Sequence, residues 1–266
     1  DPVMSRGLGD VYKRQVPIGA AVTDGYNAGH GLPFDSEGMK ERYPDIFFSQ
    51  FTGAELVADK WNLSREDLDQ FALESHQKAA QATESKYFDK EILPVEGKNA
   101  EGINDLVMAD EGIRFDASLD KLAGLNPVTE GGKITAGNAS QITDGAAAVL
   151  ICNDAGLKKI KSNPRAEIVS ISVVGDDPVF MLTGPIPASH KALDIAKLSI
   201  DDMDIYEVNE AFAPVPLAWA EELKADRSKL NVNGGAMALG HPLGATGAKL
   251  MTTMPVSYTH LRAHET

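Results

Sequence analysis

Asn231-Val232-Asn233-Gly234-Gly235-Ala236-Met237-Ala238-Leu239-Gly240-His241-Pro242-Leu243-Gly244-Ala245-Thr246-Gly247 places one titratable side chain, His241, in a run of glycines and small apolar residues. Glycine tolerates positive φ and lets backbone approach a ligand closely. An imidazole in that setting has few side chains competing for its nitrogens. Its ordinary pKa of about 6.5 suits a general base. The same pattern also accommodates a structural histidine bonded to backbone. Residues 230–233 ahead of the glycines read as a strand, and residues 244–254 behind them as a helix.

The same alternation continues upstream. Residues 203–208 read as a strand and 211–224 as a helix, despite prolines near its start. Pro187-Ala188-Ser189 opens a helix running to Lys197. Residues 166–174 (AEIVSISVV) read as another strand. Residues 146–152 form a continuous small-apolar run of the kind found in buried strands. Strands alternating with helices predict a layered α/β fold, a mixed sheet covered by helices. Earlier in the chain, residues 16–48 read as irregular loop and 53–61 as a short helix. Ser64-Arg65-Glu66-Asp67 offers a capping oxygen with an acid at the third position. Leu68, Phe71, Ala72, Ser75 and Ala79 then repeat at helical spacing. Residues 92–96 suggest a strand, and 99–132 are polar and turn-rich. The ends, 1–15 and 255–266, resemble translated adapter sequence and are set aside. His260 and His264, spaced i, i+4, offer a metal pair on spacing alone, but they lie in that tail and read as accidental spacing.

Composition narrows the function. With 25 Lys and Arg against 39 Asp and Glu in 266 residues, the net charge is −14. Such a surface repels phosphate backbones and argues against a nucleic-acid partner. A local Arg and a few backbone N–H groups still suffice for one small anion. The single cysteine, Cys152, excludes an intrachain disulfide framework and fits a reducing, cytoplasmic setting. Its place in an apolar run reads as an inert small hydrophobe. The longest apolar runs fall short of the roughly 18 residues of a membrane span.

Two further places are able to carry chemistry. Asn209, in Tyr206-Glu207-Val208-Asn209-Glu210-Ala211-Phe212-Ala213, sits where a strand gives way to a helix. Its amide suits an oxyanion, directly or through water; an ordinary helix N-cap is the alternative. Thr135-Ala136-Gly137-Asn138-Ala139-Ser140-Gln141 is a small-residue turn in which Ser140 either bonds an amide-bearing ligand or simply shapes the turn. No G-x-G-x-x-G follows a first strand, and there is no P-loop lysine pattern. His76 and His190, on predicted helices, read as surface residues.

These segments together resemble the thiolase family. Asn209-Glu210-Ala211-Phe212-Ala213 matches its N-E-A-F motif, and Asn233 to Pro242 its glycine-rich histidine motif. Gly137-Asn138-Ala139-Ser140 followed by Asp144-Gly145-Ala146-Ala147 matches its pantetheine-holding segment, and Thr183-Gly184-Pro185-Ile186-Pro187-Ala188 is also thiolase-like. The resemblance implies thiolytic cleavage of a 3-ketoacyl-CoA by CoA to a shortened acyl-CoA plus acetyl-CoA, or the reverse Claisen condensation. Coenzyme A would be a substrate, with no separate cofactor and no metal. His241 would help deprotonate a nucleophilic cysteine and share an oxyanion site with a water held by Asn209. Arg114 would lie near the nucleotide end of CoA. Ser140 would bond pantetheine, Phe212 would line the thioester end, and Gln50 would stand at the acyl pocket.

The family carries its nucleophilic cysteine in a Cys-Ser/Gly-Ser-Gly segment and a second, acid/base cysteine in Cys-x-Gly-Gly-Gly. Neither segment is in this sequence. The expectation is an internal fragment that does not turn over by itself. Its parts would be a loop domain over 16–142, the last strand and helix of the N-terminal half over 143–162, and a truncated C-terminal half over 163–254. The parent would be a homodimer or homotetramer. A non-condensing thiolase-like acyl-CoA or lipid binder is the alternative, and a carrier-protein-dependent ketoacyl-synthase-like enzyme a third reading. The former gains little from a placed base, and the latter generally uses a second active-site histidine.

Overall fold

The computed structural model describes residues 4–6, 20–32, 34–98, 102–161 and 163–263, with backbone alone for 4–6 and 259–263. His264 and most of residues 1–15 lie outside that set, and His260 is placed as helix backbone. The elements in chain order are β1 (Met4–Arg6), α1 (Ala20–Asn27), α2 (Glu37–Arg42), α3 (Gln50–Lys60), α4 (Arg65–Glu84), β2 (Val95–Lys98), β3 (Asn104–Val107), α5 (Leu119–Ala123), β4 (Ala148–Leu150), α6 (Asp154–Ile160), α7 (Pro185–Ala196), α8 (Pro214–Leu223), α9 (Ala236–Leu239) and α10 (Thr246–Ala263). Short 3-10 turns at Tyr87–Lys90, Ile200–Asp202 and Arg227–Lys229 complete the order.

The helix α4 forms for the reasons its sequence gives. Ser64 Oγ accepts from the Asp67 N–H, and the Asp67 carboxylate accepts from the Ser64 N–H, a reciprocal capping box. The predicted stripe of Leu68, Phe71, Ala72, Ser75 and Ala79 is buried throughout. Leu68, Phe71 and Ala72 belong to one buried apolar cluster with Ala54 and Ala58 of α3 and Leu217, Trp219 and Leu223 of α8. The second helix, α8, is buried on nearly every side, from Pro214 to Ala220 and again at Leu223. Its prolines fall in the first turn, where a missing N–H removes no helical bond. The Trp219 indole N–H donates to Ser189 Oγ at 2.8 Å, tying α8 to α7. A second apolar cluster joins Ala79, Ala82 and Phe88 to Ile113, Ala238 and Leu239.

The strands are shorter than the sequence predicts. Two antiparallel ribbons form, β1 with β4 and β2 with β3, the latter in register Val95↔Val107 to Lys98↔Asn104. Residues 203–208 and 230–233 meet in a single parallel bridge, Tyr206↔Leu230. Beyond it the Asn231 side chain takes over: its Oδ1 accepts from the Val208 N–H and its Nδ2 donates to the Val208 carbonyl, both at 2.9 Å. The stretch 146–152 is not a buried strand. Its ladder is three residues long, and Leu150 is 53% exposed. Residues 166–174 form no ladder either. Ser170 and Ser172 donate to carbonyls of α7, while Val169, Ile171 and Val173 face outward. An extended segment becomes a strand only beside a neighbour that accepts its backbone bonds. Residues 16–48, expected as loop, contain α1 and α2, the latter capped by Ser36 Oγ accepting from the Met39 N–H. No helix of the described residues is long and apolar enough to cross a membrane.

Candidate active site

The site forms where the turn before residue 141, the N-E-A-F segment and the glycine-rich histidine loop meet. Backbone pairing joins the first two. The Ser140 N–H donates to the Ala211 carbonyl and the Ala213 N–H to the Asn138 carbonyl, flanking an antiparallel bridge between Ala139 and Phe212. Asn138 is itself buried, with Nδ2 on Asp69 Oδ1 at 2.9 Å and Oδ1 accepting from the Thr135 N–H.

The histidine loop is held to that wall by a buried carboxylate. Glu210 Oε2 accepts from Ser75 Oγ at 2.6 Å and from the Met237 N–H at 3.2 Å; Oε1 accepts from Asn231 Nδ2 at 2.8 Å. Ser75 Oγ also accepts from the Gly235 N–H at 3.0 Å. Burial pushes the Glu210 pKa up, against the downward pull of these donors. Gly235 has no room for a side chain, because a methyl there would overlap the Glu210 carboxyl. Gly240, with φ of 81°, turns the chain against Thr143 so that His241 follows.

His241 and Asn209 come together. Asn209 Nδ2 lies 3.3 Å from His241 Nε2. On the other side of the ring, Nδ1 is 2.7 Å from Thr246 Oγ1, which donates its own proton to the Pro242 carbonyl at 2.9 Å. That network assigns the ring proton to Nδ1 and leaves the Nε2 lone pair facing the Asn209 amide. Asn209 is not a helix cap, for α8 opens at Pro214 with Ala213 in the cap position. Asn209 Oδ1 is buried without a hydrogen-bond partner among the described residues. A buried acceptor left unpaired costs about 1–3 kcal/mol, so an unpaired oxygen of this kind is suited to accept a hydrogen bond from a water or a ligand.

The other predicted residues are distributed around this pair. Phe212 is buried, and Phe51 meets it edge to face at 5.4 Å, half-exposed at the start of α3 beside the exposed Gln50. Ser140 is half-buried on the same wall. Arg114 stands further out. Its side chain is exposed, and its backbone N–H donates to His76 Nδ1 at 3.0 Å. His76 is therefore buried rather than on the surface, because α4 turns that face toward the 112–114 turn. Cys152 is half-buried, not enclosed in a strand. Among the described residues no cluster of His, Cys, Asp or Glu is able to hold a metal ion.

Sequence reasoning missed Gln141, Thr246, Ser75 and the role of Glu210. Glu210 was visible inside its motif, but nothing local marked it as the anchor of a loop some 25 residues away. Family models describing the N-terminal and C-terminal domains of thiolase match residues 22–155 and 162–263.

The chain belongs to the thiolase family.

Relatives agree with that placement. The chain is 52% identical over 241 residues to the steroid 3-ketoacyl-CoA thiolase FadA6 of Mycobacterium tuberculosis, covering 90% of this chain and 58% of that protein. It is 42% identical over 230 residues to a 3-ketoacyl-CoA thiolase of Aliivibrio fischeri, covering 85% and 59%. The crystal structure of human mitochondrial 3-ketoacyl-CoA thiolase superposes with a TM-score of 0.75 at 43% identity, over 79% of this chain and 52% of that one; the same enzyme has been solved in complex with CoA. The fold is thus a partial thiolase fold, and the chain spans a little over half the length of the relatives it matches.

Proposed function

We propose that the whole protein is a thiolase-type acyltransferase, cleaving a 3-ketoacyl-CoA with CoA or running the reverse condensation. The observation that carries this reading is the His241–Asn209 contact at 3.3 Å, with a buried acceptor oxygen beside it. A thioester α-carbon is a poor acid, so an enolate forms only where donors already surround its oxygen. An imidazole that takes up a proton at Nε2 becomes one such donor. A water whose first proton is held by Asn209 Oδ1 donates its second to the same oxygen. Losing a donor of this type typically lowers kcat about 10²–10³-fold.

In this reading His241 first removes a thiol proton at Nε2, and the thiolate attacks the ketone carbonyl. Collapse breaks the bond between the α- and β-carbons and releases acetyl-CoA as its enolate, which takes a proton from the family's second, acid/base cysteine; that thiolate then takes the thiol proton of the incoming CoA. CoA thiolate next attacks the acyl-enzyme and frees the shortened acyl-CoA. Ser140 and Phe212 would flank the pantetheine and thioester, and Arg114 would meet the phosphates. The reading assigns the sulfur nucleophile to a cysteine segment that the 266 residues do not contain. Accordingly, the purified 266-residue chain is expected not to thiolyse acetoacetyl-CoA. The protein carrying the cysteine segments is expected to do so and to lose about two orders of magnitude in kcat with Asn209→Ala or His241→Ala. Thiolysis by the 266-residue chain that disappears in His241→Ala would overturn the assignment of the nucleophile. Undiminished turnover in both variants of the longer protein would overturn the site.

A further inference from the structure

The geometry points to Gln141 as the positioning residue for His241, a role that rests on reading His241 as the base but reaches beyond it. Both side-chain amide protons of Gln141 are used, and both go to backbone carbonyls of distant segments. Nε2 donates to the Gly112 carbonyl at 2.7 Å and to the Met237 carbonyl at 2.8 Å. The main-chain carbonyl of the same residue accepts the His241 N–H at 3.3 Å and Thr143 Oγ1 at 3.4 Å. One residue therefore fixes three pieces of chain: the 112–114 turn that carries Arg114, the short helix α9, and the backbone of His241. Thr143, two residues on, fills the space against Gly240 and closes the clamp from the other side.

The glycine at 112 leaves room for that amide. A Cβ added to Gly112 would fall 2.7 Å from the Ala238 carbonyl and 3.1–3.2 Å from the Gln141 amide atoms. The side chain is thus pressed between a glycine that makes room for it and the carbonyls it serves. Its anchor fixes the position of the Gln141 carbonyl, and that carbonyl fixes where the His241 backbone begins. The ring then reaches Asn209 on one edge and Thr246 on the other. Without the anchor the loop has only the Thr143 contact to hold that register on this side. The ring is then expected to sample both tautomers. The Arg114 turn shares the same anchor, so the anion-binding arm and the imidazole are one hydrogen-bonded unit.

The test is carried out on the full 266-residue chain by reading the His241 ring nitrogens in ¹⁵N-histidine NMR, which separates Nδ1–H from Nε2–H. Wild type is expected to show the Nδ1–H form. Gln141→Met, close in volume but without donors, is expected to lower the ratio of Nδ1–H to Nε2–H about three- to tenfold, the equivalent of one or two lost neutral hydrogen bonds. Gly112→Ala, which pushes the same amide from the opposite side, is expected to move the signals in the same direction and guards against a Gln141→Met chain that does not fold. A lower melting midpoint with wild-type ring signals in the folded variants would assign Gln141 a structural role alone and overturn the proposal. Asn209→Ala separates this outcome from a failure of the catalytic reading. If that variant leaves Nε2 unchanged while Gln141→Met moves the ring, the imidazole–amide pair is wrong and the positioning role stands.

Discussion

Asparagine at the end of an apolar strand, just ahead of a helix, is as good a cap as an oxyanion ligand. Nothing within residues 205–215 separates the two uses. In the folded chain the start of α8 at Pro214 removes the capping use, because it leaves Asn209 five residues upstream with its amide on His241. His76 illustrates the reverse: a helical histidine expected at the surface is buried as the acceptor for the Arg114 N–H. Burial first, and the Arg114 charge second, hold its pKa below the ordinary 6.5. The unfolded chain therefore takes up a proton as pH falls through 6.5, while the folded chain resists. Stability from this group is full above that pH and declines below it. His76→Asn, which keeps an acceptor but does not titrate, is expected to flatten the decline between pH 7 and pH 5 in urea titrations. His76→Leu is expected to lose about 1–3 kcal/mol at neutral pH, because the Arg114 N–H is left without its acceptor. An acid slope in His76→Asn equal to that of wild type would rule out His76 as the titrating group.

The long helix α4 was legible because its determinants are local. The capping box at Ser64 and the spacing from Leu68 to Ala79 sit within one stretch of chain. Strands were not, because a ladder needs a partner that the sequence does not identify. The histidine loop shows a third case, in which a short-range pattern supplies the imidazole and its glycines but a distant residue fixes the shape. Two glycines near that loop make the point testable. Gly235→Ala would drive a methyl into the Glu210 carboxyl and is expected to destabilise by about 1–3 kcal/mol, the usual range for overpacking. Gly247→Ala, in α10 with nothing near its Cβ position, is expected to stabilise by roughly 0.5–1 kcal/mol through helix propensity. Thermal melts of both variants check the pair. Equal shifts of the same sign would mean that Glu210 does not fill the space beneath Gly235.

At the scale of the molecule, charge and burial work against each other. A net charge of −14 is spread over the surface, yet several carboxyls lie inside. Glu207, three residues before Glu210, is pushed from 4.5 up to about 8, first by burial and then by the Glu210 charge. Burial also raises Glu91 and Asp110, and Lys249 pulls all three back down. The folded state therefore keeps its Glu207 proton while the unfolded chain releases it, so stability falls as pH rises from about 4.5 to about 8 and levels off above. This is the opposite sense to His76, and because the His76 window lies within that of Glu207 the two slopes oppose each other below pH 6.5. Glu207→Gln is expected to flatten the fall between pH 5.5 and 8 and to be more stable than wild type at pH 8. A denaturation midpoint with the same pH slope in both proteins would exclude Glu207 as its source. The outward-facing Val169, Ile171 and Val173 belong to this scale too. Their alternation reads as a strand, and among the described residues no neighbour accepts its bonds.

The sequence by itself determined the α/β class, the long capped helix, and the motifs whose glycines and single imidazole resemble a thiolase, since each depends on residues close together in the chain. Only the tertiary structure decided that Asn209 turns to His241 rather than to a helix end, that Glu210 and Gln141 hold the loop, and that His76 lies inside. Those choices depend on hydrogen bonds between segments up to 160 residues apart, such as that between Gly235 and Ser75, and no local pattern encodes which donor will meet which acceptor.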